Sequence, residues 1–217
     1  MTSTLLTAWI HHAPPDEVTN GPAWIPPDGC QDLIGMETPD GTTTWHVFTL
    51  AQHAQTVWLP PGVRVRGYRL RPGSQIDENT LIALTRQLAF DADTEVQTAL
   101  ALSSHVEPRA LEALQTLAHA PSVTAAAKSL GVSPRTLERL TIRTTRQTPN
   151  FWRGLARVRQ AACSLRTDHP LADIAADHGY ADQAHLNLAF RRWLRCTPGQ
   201  LRASPDRLAL LQDTGHG

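Results

Sequence analysis

Lysine is almost missing from this chain: Lys128 stands alone beside nineteen arginines in 217 residues. The imbalance points to the codon usage of a GC-rich genome, and no chemistry is read from it. Cysteine is scarce as well. Cys30, Cys163 and Cys196 lie far apart, with no CxxC pair and no even-numbered set. That excludes a disulfide framework and points to reduced structural thiols in a reducing compartment. No apolar run approaches the ~20 residues a bilayer span needs, and the N-terminus shows no signal-peptide pattern, so a cytoplasmic protein is expected. Absent too are a nucleophile elbow and a glycine-rich phosphate loop. His46 and His53 are not an HxH pair, and His11-His12 fall in an expected loop. These gaps exclude the common enzyme signatures, so no catalytic residue, metal or cofactor is expected. Asp28 and Asp32 read as turn and surface carboxylates, not as an acid–base pair.

Net charge is also missing, but its absence conceals a division. Residues 1–121 hold six arginines against thirteen Asp and Glu, a balance of −7, whereas residues 122–204 hold thirteen basic and five acidic side chains, a balance of +8. A basic segment joined to an acidic one suggests that only the second meets a polyanion.

What is present follows the same division. Residues 1–75 alternate short β-type runs (Thr43–Leu50, Gln55–Leu59, Val63–Leu70) with turn signals such as Pro26-Pro27-Asp28-Gly29 and Pro60-Pro61-Gly62. This is the pattern of a small, mainly antiparallel β domain. Over residues 76–107 Leu81, Leu84 and Leu88, then Val96, Ala99 and Leu100, recur at helical spacing. A helical connector is expected there, with one helix a candidate to pack on a second subunit.

Residues 108–204 contain an internal repeat. Val123-x3-Ala127-x3-Gly131 recurs as Leu171-x3-Ala175-x3-Gly179 at an offset of 48, and Ser133, Leu137 and Thr141 align with Asp182, Leu186 and Phe190 at an offset of 49. Each copy reads as helix, glycine turn, helix. Ser122 caps the first helix; Ser133 with Pro134 starts the second. Leu130, Val132, Leu137 and Leu140 form the packing face. Arg135, Glu138, Arg139, Arg143 and Arg146 lie opposite. In the second copy Leu186, Phe190 and Trp193 face inward; Gln183, His185, Asn187, Arg191, Arg192 and Arg195 face outward. A helix fits the B-DNA major groove, where side chains of its first turns reach base edges and arginines farther along reach phosphates. Between the copies, Thr148-Pro149 caps a helix of ~18 residues, about 27 Å long, carrying Arg153 and Arg157. That length suits two helices entering successive major-groove segments about 34 Å apart. Residues 205–217 read as a tail.

The segment Leu171–Arg202 resembles the C-terminal signature of the AraC/XylS family of bacterial transcription regulators. Ile174-Ala175, Gly179-Tyr180, Asp182-Gln183, Phe190-Arg191, Thr197-Pro198 and Leu201-Arg202 carry the likeness, and Ser129–Leu140 resembles the family's first unit. Three positions depart from it: Thr141 replaces an aromatic, Arg146 a frequent glycine, and Leu186 the first of two phenylalanines. The resemblance implies base reading by Arg135, Glu138 and Arg139 in one unit and by Gln183, Ala184, His185 and Leu188 in the other. Arg143, Arg146, Arg153, Arg157, Arg191, Arg192 and Arg195 are the expected phosphate contacts. More faintly, Pro27–Ile34 and Pro60–Gly73 resemble cupin-like sensor or dimerisation domains. There Trp24, Trp45, Trp58 and Tyr68 are candidates for an effector pocket or for plain core, and Arg64, Arg66 and Arg69 for an anionic ligand or a solvated face.

The expected fold is therefore α+β: a small, mainly β, cupin-like domain followed by an all-α tandem helix-turn-helix domain. The family implies an activator with double-stranded DNA and RNA polymerase as partners, a small-molecule effector and a homodimer as further candidates, and no membrane. The alternative is a non-specific architectural or protein-interaction module.

Overall fold

The computed structural model describes residues 3–13, 22–211 and 215–217. In chain order the elements are β1 (Leu5–His12), β2 (Ala23–Ile25), β3 (Gln31–Glu37), β4 (Thr43–Phe48), β5 (Gln55–Val57), β6 (Arg64–Leu70), β7 (Ser74–Ile76), α1 (Glu78–Thr85), α2 (Asp93–Ser103) and β8 (Ser104–Val106). Helices follow: α3 (Pro108–His119), α4 (Val123–Ser129), α5 (Pro134–Thr145), α6 (Pro149–Ser164), α7 (Leu171–Asp177), α8 (Gln183–Leu194), α9 (Pro198–Arg202) and α10 (Pro205–Leu210). The chain divides into two compact units. The first holds residues up to 23, 30–50 and 56–108; the second holds 24–29, 51–55 and 109–217. Among the described residues no helix is long and apolar enough to cross a membrane.

In the first unit β1, β6, β3 and β4 form one four-stranded sheet in that order, every pair antiparallel. Strand alternation sends Leu33, Trp45, Tyr68 and Leu70 to one face, where they form a core with Leu81 of α1 and Val96, Ala99 and Leu100 of α2. Two helices of the segment expected to connect the halves thus close the core of this unit. Ile34, Val63 and Val65 cluster separately. Tryptophans lie across glycines at paired positions, Trp45 over Gly35 and Trp9 over Gly67; a Cβ there would come within 2.6 and 2.2 Å of the rings. His11 and His12 belong to β1, not to a loop.

The arginines of β6 are paired within the protein. Arg64 meets Glu37 at 2.6 Å and Asp91 at 3.1 Å, and Arg66 meets Asp91 and Asp93 at 3.1 and 3.4 Å. Both guanidiniums lie over the Phe90 ring. Tyr68 donates to Asp93 at 2.8 Å, and burial pushes its phenol up to about 12. Arg69 makes a two-pronged pair with Asp32. The three arginines weighed as receptors for an anionic ligand are held by carboxylates of the protein itself.

The second unit is built around α6, whose Trp152, Leu155, Ala156, Val158, Ala161 and Ala162 are all buried. Helices α4, α5, α7 and α8 pack against it. Residues 24–29 and 51–55 join this unit by specific bonds. Arg159, 2% exposed, donates to the carbonyls of Pro27 and Leu211 at 3.2 and 3.1 Å, and the Ala54 amide donates to Trp193 at 2.7 Å. The tail is anchored too. The His216 amide donates to the Asp28 carbonyl at 2.7 Å, and its ring sets Nε2 3.0 Å from the Trp152 carbonyl.

Candidate nucleic-acid interface

The two helix pairs, α4–α5 and α7–α8, repeat each other in helix length and in the backbone angles of their glycine turns and left-handed ends. Helices α4 and α7 are offset by 48 residues, and α5 and α8 by 49 at both ends. The turns use Gly131 and Gly179 at φ +67° and +69°, a left-handed conformation that glycine alone adopts without steric cost. Ser133 accepts the Thr136 amide at 3.1 Å; Asp182 accepts the His185 amide at 2.7 Å. Each second helix then ends on a left-handed arginine, Arg146 at φ 58° and Arg195 at φ 57°. Beyond each lies one residue, then a capping threonine and a proline that open the next helix: Thr148-Pro149 for α6 and Thr197-Pro198 for α9. The repeat therefore runs through both exit corners. Its one inserted residue sits in the second turn, at Ala181, whose amide donates to His185 Nδ1 at 3.2 Å.

The first-unit candidates Arg135, Glu138 and Arg139 are exposed on α5, as are Gln183, Ala184, His185 and Leu188 on α8. Leu188 is 67% exposed, unusual for a leucine in the middle of a helix whose neighbours Leu186 and Phe190 are fully buried. His185 is less free than its exposure suggests. Its Nδ1 accepts a backbone amide and its ring meets the Tyr180 ring edge to face at 5.2 Å. That bond requires the Nε2–H tautomer, so the ring offers solvent a single donor. At equivalent places the two helices carry different chemistry: Arg135 corresponds to Ala184, and Arg139 to Leu188.

Among the expected phosphate contacts, Arg143, Arg146, Arg191, Arg192 and Arg195 are exposed. No ion pair to a described carboxylate engages Arg146, Arg191, Arg192 or Arg195. Arg153 and Arg157 stand apart, because their donors face backbone carbonyls. Arg153 bonds the carbonyls of Ala120 (3.1 Å) and Pro121. Arg157 donates to Gly179 at 3.2 Å and lies 4.3 Å over the Tyr180 ring. Burial together with the Arg157 charge lowers the Arg153 pKa.

Of the four candidates for an effector pocket, Trp45 and Tyr68 pack on each other with ring centroids 6.1 Å apart. Trp45 and Tyr68 are core of the first unit, with Trp45 Nε1 donating to the Leu88 carbonyl. Trp58 is 67% exposed, and Trp24 is buried in the second unit with Arg207 over its ring. Of the weighed histidines, His46 is exposed on β4 and His53 sets Nδ1 3.1 Å from the Ala54 carbonyl. Among the described residues no group of His, Cys, Asp or Glu is placed to hold a metal ion.

Spacing on the outer faces of α5 and α8 picks out the exposed candidates. It does not single out Gln160, Ser164 and His178, whose partners are a backbone carbonyl of α3 and, for Ser164 and His178, each other across 14 residues of sequence.

A helix-turn-helix domain family matches residues 126–204. No curated protein matches the chain. Among solved structures, a transcriptional regulator with an AraC-type DNA-binding domain from Chromobacterium violaceum is 26% identical, with 46% of this chain and 94% of that one covered and a TM-score of 0.42. ToxT from Vibrio cholerae O395 is 8% identical over 98% of this chain and 100% of that one, with a TM-score of 0.47. ToxT with an unsaturated fatty acid bound, from Vibrio cholerae strain SCE256, is 8% identical over 99% and 98%, with a TM-score of 0.45. None of these scores reaches 0.5, and the assignment rests on the family match.

Proposed function

We propose that this chain, whose residues 126–204 match a helix-turn-helix domain family, is a DNA-binding transcription regulator of the AraC type that reads two successive major-groove segments with unlike sequence preferences. The observation that carries this reading is the repetition of glycine turns, capped second helices and left-handed ends around outer faces of different chemistry. Arg135 and Arg139 on α5 suit guanine, whose O6 and N7 accept a two-pronged arginine. Ala184 and Leu188 on α8 suit the thymine methyl, and Gln183 suits adenine N6 and N7. The site is therefore directional, an arginine-read block beside a methyl-read block, and not a palindrome. Arg143, Arg146, Arg191, Arg192 and Arg195 supply the phosphate contacts that set affinity. The family resemblance supports activation, with RNA polymerase as partner, as the direction of regulation. Control by an effector receives no support from Trp24, Trp45, Trp58 and Tyr68, and the reading does not depend on it.

Titration of purified protein onto its genomic binding fragments tests this. Replacing Arg191 and Arg192 by Ala weakens binding to every sequence alike and lowers the salt slope by about 0.9 per lost phosphate contact. Gln183→Ala instead relaxes preference at one position. A uniform, sequence-blind loss from Gln183→Ala contradicts its role as a reader.

A further inference from the structure

Along α6 four polar side chains fall at positions 153, 157, 160 and 164. This i, i+4, i+7, i+11 spacing keeps all four on one stripe of the helix. Their partners alternate. Arg153 bonds the carbonyls of Ala120 and Pro121, which lead into α4. Arg157 bonds Gly179, the turn of the second pair, and covers Tyr180. Gln160 donates at 3.1 Å to the Ala118 carbonyl in the last turn of α3, just upstream of the segment that leads into α4. Ser164 goes to the second pair, 2.8 Å from His178 Nε2 at the end of α7. The stack continues outward, since Tyr180 also meets His185 on α8.

We propose that this stripe is a polar brace which fixes the separation and orientation of the two reading helices, with Arg153 and Arg157 as positioning residues instead of phosphate ligands. An apolar seam between α6 and the two pairs would hold them together yet allow sliding, because dispersion contacts have no direction. Charged hydrogen bonds to backbone carbonyls have fixed geometry and are strong where water is partly excluded. Arginine suits the task because its planar fork reaches two carbonyls at once, as at Ala120 and Pro121, or stacks flat on a ring while donating at its edge, as at Tyr180. The carbonyls gripped by the two arginines flank α4 and α7, the first helix of each pair. The grip therefore orients the pair and leaves the reading face untouched.

The first test needs no DNA. Distance labels placed on exposed Glu138 and Ala184 by non-thiol chemistry report the separation of α5 and α8 in the free protein. The wild type gives one narrow distance distribution. Arg153→Met and Arg157→Met broaden it, and so do the neutral changes Gln160→Ala and Ser164→Ala, which keep the experiment decisive if an arginine variant fails to fold. An unchanged distribution in the folded variants overturns the proposal.

The second test rests on the two-unit reading above. The wild type loses affinity when one base pair is added between the two blocks. Arg157→Met binds the native spacing on the order of tenfold more weakly, the effect of about 1.4 kcal/mol, but discriminates less against the added base pair and keeps its salt slope. Arg157→Lys, which keeps the charge but not the flat stack, does not restore binding. A salt slope that falls by about 0.9 per arginine with an unchanged spacing profile, and rescue by lysine, identify phosphate ligands and overturn the brace. If the wild type shows no two-block preference, the two-unit reading fails while the distance measurement still decides the brace.

Discussion

Arg146 and Arg195 hold a backbone conformation that costs an L-residue roughly 1 kcal/mol relative to glycine. Both sit at the corner where the second helix of a pair hands over to the next capped helix, and both are exposed. Arg146→Gly is expected to raise stability toward denaturant by about 0.5–1 kcal/mol and to lower the salt slope of DNA binding by about 0.9. Chemical unfolding and salt titration of one variant check both halves; a variant no more stable than wild type contradicts the strain argument. Thr141 accommodates the missing aromatic in another way. It is 1% exposed, and its hydroxyl donates to the Glu138 carbonyl at 3.1 Å, so the buried polar atom is satisfied within its own helix.

His216 gives the residue scale its pH dependence. Burial lowers its pKa from 6.5 to about 4, so the ring is neutral in the fold and takes up a proton more readily when the chain is unfolded. Its contribution is present in full above pH 6.5 and is lost as pH falls toward 4, reaching about 3 kcal/mol at ~1.4 kcal/mol per unit. Thermal unfolding between pH 7 and 4 should show a steeper loss for the wild type than for His216→Asn. Parallel curves would remove His216 from the account.

At the scale of elements, α8 carries the sharpest prediction about specificity. Leu188 and Ala184 are exposed side chains of carbon alone, so on the proposed reading the block facing α8 should be sensitive to the thymine methyl. Replacing thymine by uracil at the contacted position should weaken binding about fourfold, the effect of ~0.8 kcal/mol for one buried methyl. Leu188→Ala should abolish that sensitivity in a fluorescence binding assay, and an equal uracil effect in wild type and variant would contradict it.

The elements legible in the sequence were those with punctuation. Ser133-Pro134, Thr148-Pro149 and Asp182 mark helix starts by the bonds their side chains must make, and the helices begin there. Strand β3 escaped notice for a physical reason. Leu33, Ile34 and Gly35 are buried in succession because β3 lies inside the sheet and is covered on both sides, which erases the alternation that betrays a half-buried strand. Strand β1 is an edge with an exposed half, and its Trp9 packs on a glycine of a strand far along the chain. Arg153 and Arg157 were legible as a basic face but not as a brace. Spacing shows which way a side chain points, and a carbonyl partner leaves no mark on the sequence.

For the whole molecule, the charge division was legible and the division into units was less so. Residues 24–29 and 51–55 belong with the DNA-binding helices although they lie among the strands in sequence. The bonds that place them, Arg159 to Pro27 and Ala54 to Trp193, cross more than a hundred residues of chain, beyond the reach of any periodicity. Seven of the thirteen basic residues of 122–204 are exposed arginines on α5, α8 and their left-handed ends, within the segment that the family match covers.

In vitro selection of fragmented genomic DNA on purified protein at physiological salt, followed by sequencing of the bound fraction, tests the central claim most directly. The expected result is a directional motif of two unlike blocks about one helical turn apart, one centred on guanine and one on thymine. Bound fragments with no shared motif would contradict the claim and leave a non-specific DNA-binding module.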